Sequence, residues 1–333
     1  MPEYFFEGAE KLLEIWFTTN DERLLKRADL RDIKRSDWEK ILRLVNCEII
    51  SVTKNDSMDA YVLSESSMFV SQYRFILKTC GTTTLLHAIK PILALVKEVC
   101  SLDAMEDLFF SRKNFERPQE QTAPHTSFDE EAHWLDKIFP EGAAYSFGKL
   151  NANCWHLYTV TPHPVSSAVS APDQTFELLM NDPDPKVMSH FYKSVSTDGK
   201  MATQSSGIDT ILPKSVIDEH LFEPCGYSAN GLLANGQYWT IHITPEPEFA
   251  YVSFETNVPQ SNYAELFRKV VSIFRPASTS LTIFANQASV AKDSYREASD
   301  NWSVIDTYRR TDFSMSILGN YNLTYSFYKN VYS

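Results

Sequence analysis

The residues able to do chemistry are few and scattered. Within Tyr61-Val62-Leu63-Ser64-Glu65-Ser66-Ser67-Met68-Phe69-Val70, three serines and a glutamate interrupt an otherwise strand-forming run. Cys80 follows the strand-like segment Arg74–Thr79, and His242 lies within Tyr238–Ile243. A neutral imidazole suits proton transfer near pH 7, whereas a thiol reacts only where its surroundings set its ionisation. Glu7, Glu10 and Glu14 recur inside an apolar N-terminal stretch, and Ser228 precedes the pair Asn230-Gly231. Taken one at a time, each has an ordinary structural use. A strand histidine is commonly satisfied within its sheet, a lone cysteine is a small buried hydrophobe, a serine beside Asn-Gly is a turn residue, and the acidic residues form a solvated edge.

Positioning such residues falls to strands. Segments rich in β-branched and aromatic residues recur at Tyr61–Val70, Arg74–Thr79, Ala144–Phe147, Trp155–Val160, Tyr238–Ile243, Tyr251–Glu255, Ser280–Phe284 and Tyr321–Tyr328. Helical periodicity is confined to Leu85–Val99, with Pro91 inside it as a kink, to Phe128–Ile138, entered through Thr126 and Ser127, and to Tyr263–Phe274. Successive strands broken by isolated helices predict an α+β protein with antiparallel sheets. Asn235-Gly236 predicts a two-residue hairpin turn that delivers His242 to a strand. Polar stretches at Glu116–Ser127, Thr161–Asp173 and Ser194–Gly207 read as surface loops, and no internal repeat is evident. Phe5–Phe17 can be read two ways. As a helix it sets Glu7, Glu10 and Glu14 in one stripe; as a strand it sets Glu10, Leu12, Glu14 and Trp16 on one face and Lys11, Leu13, Ile15 and Phe17 on the other. In a sandwich buried on both sides, the strand reading puts carboxylates indoors.

A chain of 333 residues, 43% hydrophobic and 22% charged, can bury a sizeable core. Its net charge of −12 and sequence pI near 5.2 oppose phosphate backbones and anionic lipid, so neither nucleic acid nor a membrane is an expected partner. The five cysteines, Cys47, Cys80, Cys100, Cys154 and Cys225, are scattered and unpaired in pattern, which points to a reducing compartment without disulfides or a zinc site. Glutamates in the N-terminal stretch argue against a signal peptide, and no apolar run nears the roughly 20 residues that span a bilayer. A cytosolic protein is expected. The dinucleotide, zinc-protease and hydrolase signatures are absent, and Gly142–Lys149 has the wrong spacing for a phosphate loop.

Several blocks taken together say more. These are Phe5-Phe6-Glu7-Gly8-Ala9-Glu10-Lys11-Leu12-Leu13-Glu14, the Glu65-Ser66 run, Leu77-Lys78-Thr79-Cys80-Gly81-Thr82-Thr83 and Phe110-Ser111-Arg112-Lys113-Asn114-Phe115. Pro224-Cys225-Gly226-Tyr227-Ser228-Ala229-Asn230-Gly231 and Tyr238-Trp239-Thr240-Ile241-His242-Ile243-Thr244-Pro245-Glu246-Pro247-Glu248 complete the set. In identity and order they resemble the eukaryotic S-adenosylmethionine decarboxylases, from near residue 5 to near residue 285. The resemblance implies an α+β protein of one domain, 1–333, built as a four-layer αββα sandwich: two stacked antiparallel sheets with helices on both outer faces. It also implies a pyruvoyl-dependent enzyme made as a proenzyme. Ser66 Oγ attacks the Glu65 carbonyl, the resulting ester is eliminated, and hydrolysis leaves a pyruvoyl group on the new N-terminus, giving a β chain of residues 1–65 and an α chain of 66–333. Decarboxylating an α-amino acid requires an electron sink, which that carbonyl supplies after condensing with the substrate amine.

Residue roles follow from the same resemblance. Ser228 and His242 serve self-processing, the histidine taking the Ser66 α-proton. Cys80 returns a proton to the substrate α-carbon, and Glu7 and Glu10 are acidic residues important for catalysis and processing. Phe6 and Phe222 stack on adenine and accept the sulfonium cation, Glu246 holds the ribose hydroxyls, and the Glu65 backbone borders the adenine edge. A second interior site is implied for putrescine as an activator, formed by Glu14, Lys78, Asp173, Thr175, Glu177 and Glu255 and lined by Phe109, Phe284 and Tyr321. Family members that dispense with putrescine carry extra arginines there, where this chain has Leu12 and Phe109. Members occur as dimers of the processed unit and as monomers. Two rival readings remain: a non-catalytic regulatory paralogue, disfavoured because the serine, cysteine and histidine are all present, and an autoprocessing amidohydrolase, which requires a free serine N-terminus.

Overall fold

The computed structural model describes residues 5–160 and 171–332. Of the two readings of Phe5–Phe17, the strand holds from Lys11 onward, while Phe5–Glu10 forms neither helix nor strand. β1 (Lys11–Thr18) lies inside an eight-stranded sheet with β2 (Ile49–Lys54), β3 (Met58–Leu63), β4 (Ser66–Ser71), β5 (Arg74–Thr79), β6 (Ala104–Lys113), β7 (Ala143–Gly148) and β8 (Cys154–Val160). Their spatial order is β2-β3-β4-β5-β1-β6-β8-β7. A nine-stranded sheet follows in sequence: β9 (Gln174–Asn181), β10 (Val216–Leu221), β11 (Tyr227–Leu232), β12 (Tyr238–Thr244), β13 (Tyr251–Thr256), β14 (Ser278–Asn286), β15 (Val304–Ile305), β16 (Tyr308–Leu318) and β17 (Tyr321–Asn330). Its order is β10-β11-β12-β13-β9-β14-β17-β16-β15, and neighbouring strands in both sheets run antiparallel, as between β1 and β5 or β11 and β12.

Alternation along β1 decides what each face buries. Leu13, Ile15 and Phe17 enter a core shared with the helices Arg35–Leu44, Ile89–Cys100 and Phe128–Asp136 on the outer face. The second sheet has its own outer core, in which Leu266, Phe267, Val270 and Phe274 of the helix Ala264–Phe274 pack against Phe176, Phe254 and Ile283. Between the sheets, Phe109, Trp155, Tyr251, Leu323 and Tyr325 form one apolar cluster and Met58, Phe69, Ile76 and Tyr238 another. The layers are therefore helices, sheet, sheet, helices, the expected αββα sandwich.

The two halves repeat one topology, which the sequence does not reveal. In each, a first strand (β1, β9) inserts between the last strand of a four-stranded meander (β2–β5, β10–β13) and a following strand (β6, β14). The β3–β4 and β11–β12 hairpins are thus equivalent elements of opposite sheets.

Several local expectations change. Tyr61–Val70 is two strands, not one, because Ser64 and Glu65 turn between Leu63 and Ser66. Leu85–Val99 divides into a 3-10 turn, Leu85–Ala88, and the helix Ile89–Cys100, so Pro91 falls in the first helical turn, where its missing N–H goes unused. Ser194–Gly207 contains a helix, Gly199–Ser206, capped by the Asp198 side chain and ended by Gly207 at φ 84°. The hairpin loop at Asn235-Gly236 holds three residues, Ala234–Gly236, since Leu233 N–H bonds to the Gln237 carbonyl at 2.9 Å. Of the expected loop Thr161–Asp173, residues 161–170 lie outside the described residues. Beyond β14 the chain adds the helix Ser294–Asn301 and the β15–β17 edge.

Candidate active site

The β3–β4 turn carries an unusual backbone conformation. Ser66 adopts φ 114°, a region that costs a non-glycine residue about 1–3 kcal/mol. Its Oγ is buried and has no hydrogen-bond partner among the described residues, a further cost of about 1–3 kcal/mol. Meanwhile the carbonyl oxygen of Glu65 accepts the Cys80 main-chain N–H at 3.1 Å. An uncommitted hydroxyl next to a polarised carbonyl can attack it through a five-membered ring, shifting the acyl group from nitrogen to oxygen.

A cleft of about 230 Å³ opens over this turn. Phe6, Glu65, Ser66, Cys80, Phe222, Ser228, His242 and Glu246 all line it, so eight of the ten residues expected for catalysis and substrate binding meet at one place. Gly81, at φ 59°, lets the Phe6 ring close in: a Cβ there would lie 3.1 Å from that ring.

Ser228 and His242 are direct cross-strand partners of β11 and β12, and Ser228 Oγ lies 2.9 Å from His242 Nδ1. Burial, reinforced by the Lys78 charge, holds the His242 pKa well below its ordinary value, so the imidazole is neutral and able to accept a proton. Asn230-Gly231 is mid-strand, not a turn. The glycine is required there because a Cβ would sit 2.0 Å from the Trp239 indole nitrogen of the paired strand. The Cys80 thiol lies 3.6 Å from Glu65 Oε2. Burial, then the Glu65 and Glu10 carboxylates, push its pKa well up, which keeps it protonated.

Glu7 and Glu10 stand behind the cleft. The Glu7 carboxylate accepts the N–H of Glu116 at 2.8 Å and of Arg117 at 3.4 Å, and burial still raises its pKa. Glu10 reaches across to the second sheet, accepting from Ser253 and, at 3.4 Å, from Tyr251. Burial raises its pKa against the lowering pull of Lys78.

Deeper between the sheets, all nine residues of the expected second site come together. Lys78 bonds Glu255 at 2.7 Å and Glu177 at 3.2 Å, and Tyr238 also donates to Glu255 at 2.7 Å. Burial alone would lower the Lys78 pKa, but Glu255, Glu177 and Glu10 outweigh it. Burial pushes Glu177 up to about 7. Thr175 pairs with Phe284 across β9 and β14, and the Phe284 ring stacks on Tyr321 at 4.4 Å with Phe109 edge-on to both. Tyr321 donates to Asp173 at 3.1 Å.

Arg74 is the residue that sequence reasoning missed. Its guanidinium bonds Glu14 at 2.8 Å and Asp173 at 3.2 Å and lies 4.8 Å from the Trp16 ring. Four carboxylates, Glu14, Asp173, Glu177 and Glu255, therefore face two cations and not one. The signal was present, since Arg74 and Lys78 share a face by strand alternation. Ser67, Asn230 and Thr240, equally unmarked in the sequence, hydrogen-bond to one another next to Ser66 and His242.

Among the described residues no group of His, Cys, Asp and Glu is arranged to hold a metal, and no helix is long and apolar enough to cross a membrane. All five cysteines are free thiols.

Two duplicated antiparallel sheets between helical layers, with a polar cleft at one hairpin turn and paired charges indoors, define the class as an αββα sandwich. The chain belongs to the adenosylmethionine decarboxylase family, whose model, described as Adenosylmethionine decarboxylase, matches residues 3–329. The S-adenosylmethionine decarboxylase proenzymes of Xenopus laevis and Drosophila melanogaster are 48% and 50% identical to it, each match covering 98% of this chain and 96% of the relative. The crystal structure of the Trypanosoma brucei AdoMetDC-delta26 monomer shares the fold, with a TM-score of 0.62 at 24% identity, covering 79% of this chain and 98% of that one.

Proposed function

We propose that this chain is the proenzyme of a pyruvoyl-dependent S-adenosylmethionine decarboxylase, a carboxy-lyase that makes the aminopropyl donor for spermidine and spermine synthesis. The observation that carries the reading is Ser66: a buried, unpartnered hydroxyl at φ 114°, beside a carbonyl that already accepts a hydrogen bond. In this reading Ser66 Oγ attacks the Glu65 carbon, and the Cys80 N–H steadies the charge that grows on the carbonyl oxygen. Collapse breaks the C–N bond and leaves an ester. His242 then takes the Ser66 α-proton, elimination releases the Glu65 carboxylate, and water converts the dehydroalanine to the pyruvoyl group with loss of ammonia. The products are a β chain of 1–65 and an α chain of 66–333 that remain one folded domain, in keeping with the β3–β4 pairing that spans the cut.

Once formed, the pyruvoyl carbonyl supplies the electron sink that decarboxylation requires. The chain's own residues do the rest. Cys80, protonated because it is buried, returns a proton to the α-carbon; Phe6 and Phe222 flank adenine and sulfonium, and Glu246 and the Glu65 backbone hold the nucleoside. Glu7 and Glu10 support processing and turnover from behind the cleft. The interior charges support putrescine as an activator, because Glu14, Asp173, Glu177 and Glu255 outnumber Arg74 and Lys78, and a diammonium ion offsets the excess. The unpaired thiols accord with a cytosolic enzyme.

The test is intact mass under denaturing conditions, with N-terminal sequencing of the larger fragment and release of carbon dioxide from carboxyl-labelled S-adenosylmethionine. Fragments of about 7 and 31 kDa, the larger blocked, together with substrate-dependent release, are expected. An uncut 38.1 kDa chain or a readable serine N-terminus would overturn the reading. Indifference of the cut enzyme to millimolar-range putrescine would remove the activator alone.

A further inference from the structure

Two residues outside the expected set, Asn230 and Thr240, face each other across β11 and β12 two pairs along from Ser228 and His242, on the same face of the sheet. Their shortest contacts fix one another's direction; Thr240 Oγ1 also lies 3.4 Å from Ser67 Oγ, a longer contact than its 2.9 Å to Asn230 Oδ1. Asn230 Nδ2 lies 3.0 Å from the Tyr61 carbonyl oxygen, which can only accept, so that end of the amide is the NH2 and the other is the oxygen. Asn230 Oδ1 lies 2.7 Å from Ser67 Oγ and 2.9 Å from Thr240 Oγ1. An amide oxygen also only accepts, so the single hydroxyl hydrogen of Thr240 is spent on it. Thr240 Oγ1 lies a further 2.9 Å from His242 Nε2, and with its hydrogen used it can only accept there. The His242 hydrogen is therefore on Nε2. Nδ1 carries the lone pair, and the Ser228 hydroxyl donates to it.

The partners of Asn230 also have a location in common. Tyr61 lies in β3 and Ser67 in β4, on opposite sides of the Glu65–Ser66 bond, so one amide from the second sheet grips both arms of the hairpin. We propose that Asn230 and Thr240 are positioning residues for self-cleavage: Asn230 clamps the two arms across the scissile bond, and Thr240 holds His242 as the Nε2–H tautomer, leaving Nδ1 as the base. This rests on reading Glu65–Ser66 as the cleavage site. In the elimination the Ser228 hydroxyl turns away from Nδ1, the proton passes from Ser66 Cα to the freed Nδ1 lone pair, the electron pair left on Cα forms the Cα=Cβ bond, and the Cβ–Oγ bond breaks to release the main-chain carboxylate of Glu65. The imidazolium formed keeps its Nε2–H on Thr240, whose own hydrogen stays on Asn230. Ester formation does not use this chain of bonds, so its loss shows at elimination.

Thr240→Val keeps the shape and removes the hydroxyl, leaving Nε2–H unpaired and allowing the hydrogen to move to Nδ1, where the base would be lost. The expected result is spontaneous cleavage at least ~10-fold slower, with the ester accumulating. Hydroxylamine then cuts that species quickly, leaving a readable Ser66 N-terminus, while Thr240→Ser cleaves close to the wild-type rate. Nitrogen-15 resonances of His242, read in the uncut Ser66→Ala chain and assigned with His242→Gln, report an Nε2–H tautomer, shifted when Thr240→Val is added. A wild type that cuts itself alongside a Thr240→Val chain that cuts equally fast, with no hydroxylamine-sensitive species, would overturn this role alone. An Nδ1–H tautomer in the Ser66→Ala chain would do the same, even if Thr240→Val failed to fold. A wild type that never cuts would overturn the cleavage reading and this role with it.

Discussion

Cys80 contacts Glu65 twice: its main-chain N–H donates to the Glu65 carbonyl at 3.1 Å, and its thiol lies 3.6 Å from the Glu65 carboxylate. The two groups are separable by mutation. In the proposed mechanism the N–H serves peptide-bond attack and survives any side-chain change, whereas the thiol serves proton return during turnover. Cys80→Ala should therefore cut itself at a rate near wild type yet decarboxylate about 100-fold more slowly per cut chain. Fragment masses and carbon dioxide release from the same preparation check this, and normal turnover by the cut variant would sink the assignment. Because burial, Glu65 and Glu10 hold the thiol pKa up, Cys80 should also resist iodoacetamide at pH 8.

Ser66 bears two local costs in the uncut chain, an unfavourable φ and an unpaired hydroxyl. Ser66→Ala removes the nucleophile and the orphaned hydroxyl together. The expected product is a single 38.1 kDa chain that unfolds cooperatively. Mass spectrometry and a thermal melt decide it, and the appearance of two fragments would show that another residue cuts the chain.

If the interior site takes putrescine as proposed, Glu177 should make that binding pH-dependent. Burial raises its pKa from 4.5 to about 7, with Lys78 opposing and Glu255 and Glu10 adding to the rise. Folding thus favours the protonated form, so this contribution to stability is complete below about 4.5 and is lost as pH climbs through about 7. A diammonium ion favours the carboxylate instead. Below pH 7 putrescine must expel a proton; above it none is needed. Its affinity should rise between pH 6 and 8, by up to about tenfold per pH unit on the acid side, with calorimetric proton release that fades toward pH 8. Glu177→Gln should flatten this profile, with any slope that remains assigned to Glu10 and Glu14, which burial also raises. An equal slope in wild type and Glu177→Gln would reject Glu177 as the titrating group.

Strand periodicity made the sandwich and most of the cleft legible. Trp155–Val160 and Tyr238–Ile243 read as strands because β-branched and aromatic residues crowd them, and β8 and β12 are buried throughout. Gly199–Ser206 escaped notice because its residues are small and polar; it forms through the Asp198 cap and by burying Ala202, which are tertiary facts. Asn230-Gly231 carried a turn signal that packing against Trp239 overrides. The duplicated topology is invisible because different residues satisfy the same alternation in each half. The site residues were identifiable by type and order, but the direction of the Asn230–Thr240–His242 hydrogen bonds depends on register and close distances, which composition does not encode.

Arg74 tests how the interior charges are balanced. Burial works against its charged form, but Asp173 and Glu14 outweigh it, and its Nη2 has no partner among the described residues. Arg74→Met leaves Glu14 and Asp173 buried without their cation, which typically costs about 3–5 kcal/mol. The melting midpoint should fall, and Arg74→Lys should restore it only in part, since one ammonium cannot reproduce the two-pronged contact. Because the variant carries a larger excess of negative charge, millimolar putrescine should raise its midpoint more than it raises that of wild type. Thermal melts with and without putrescine measure both shifts. An Arg74→Met protein as stable as wild type would show that Glu14 and Asp173 do not depend on the Arg74 cation, and an equal putrescine shift in both proteins would place the diamine away from Glu14 and Asp173.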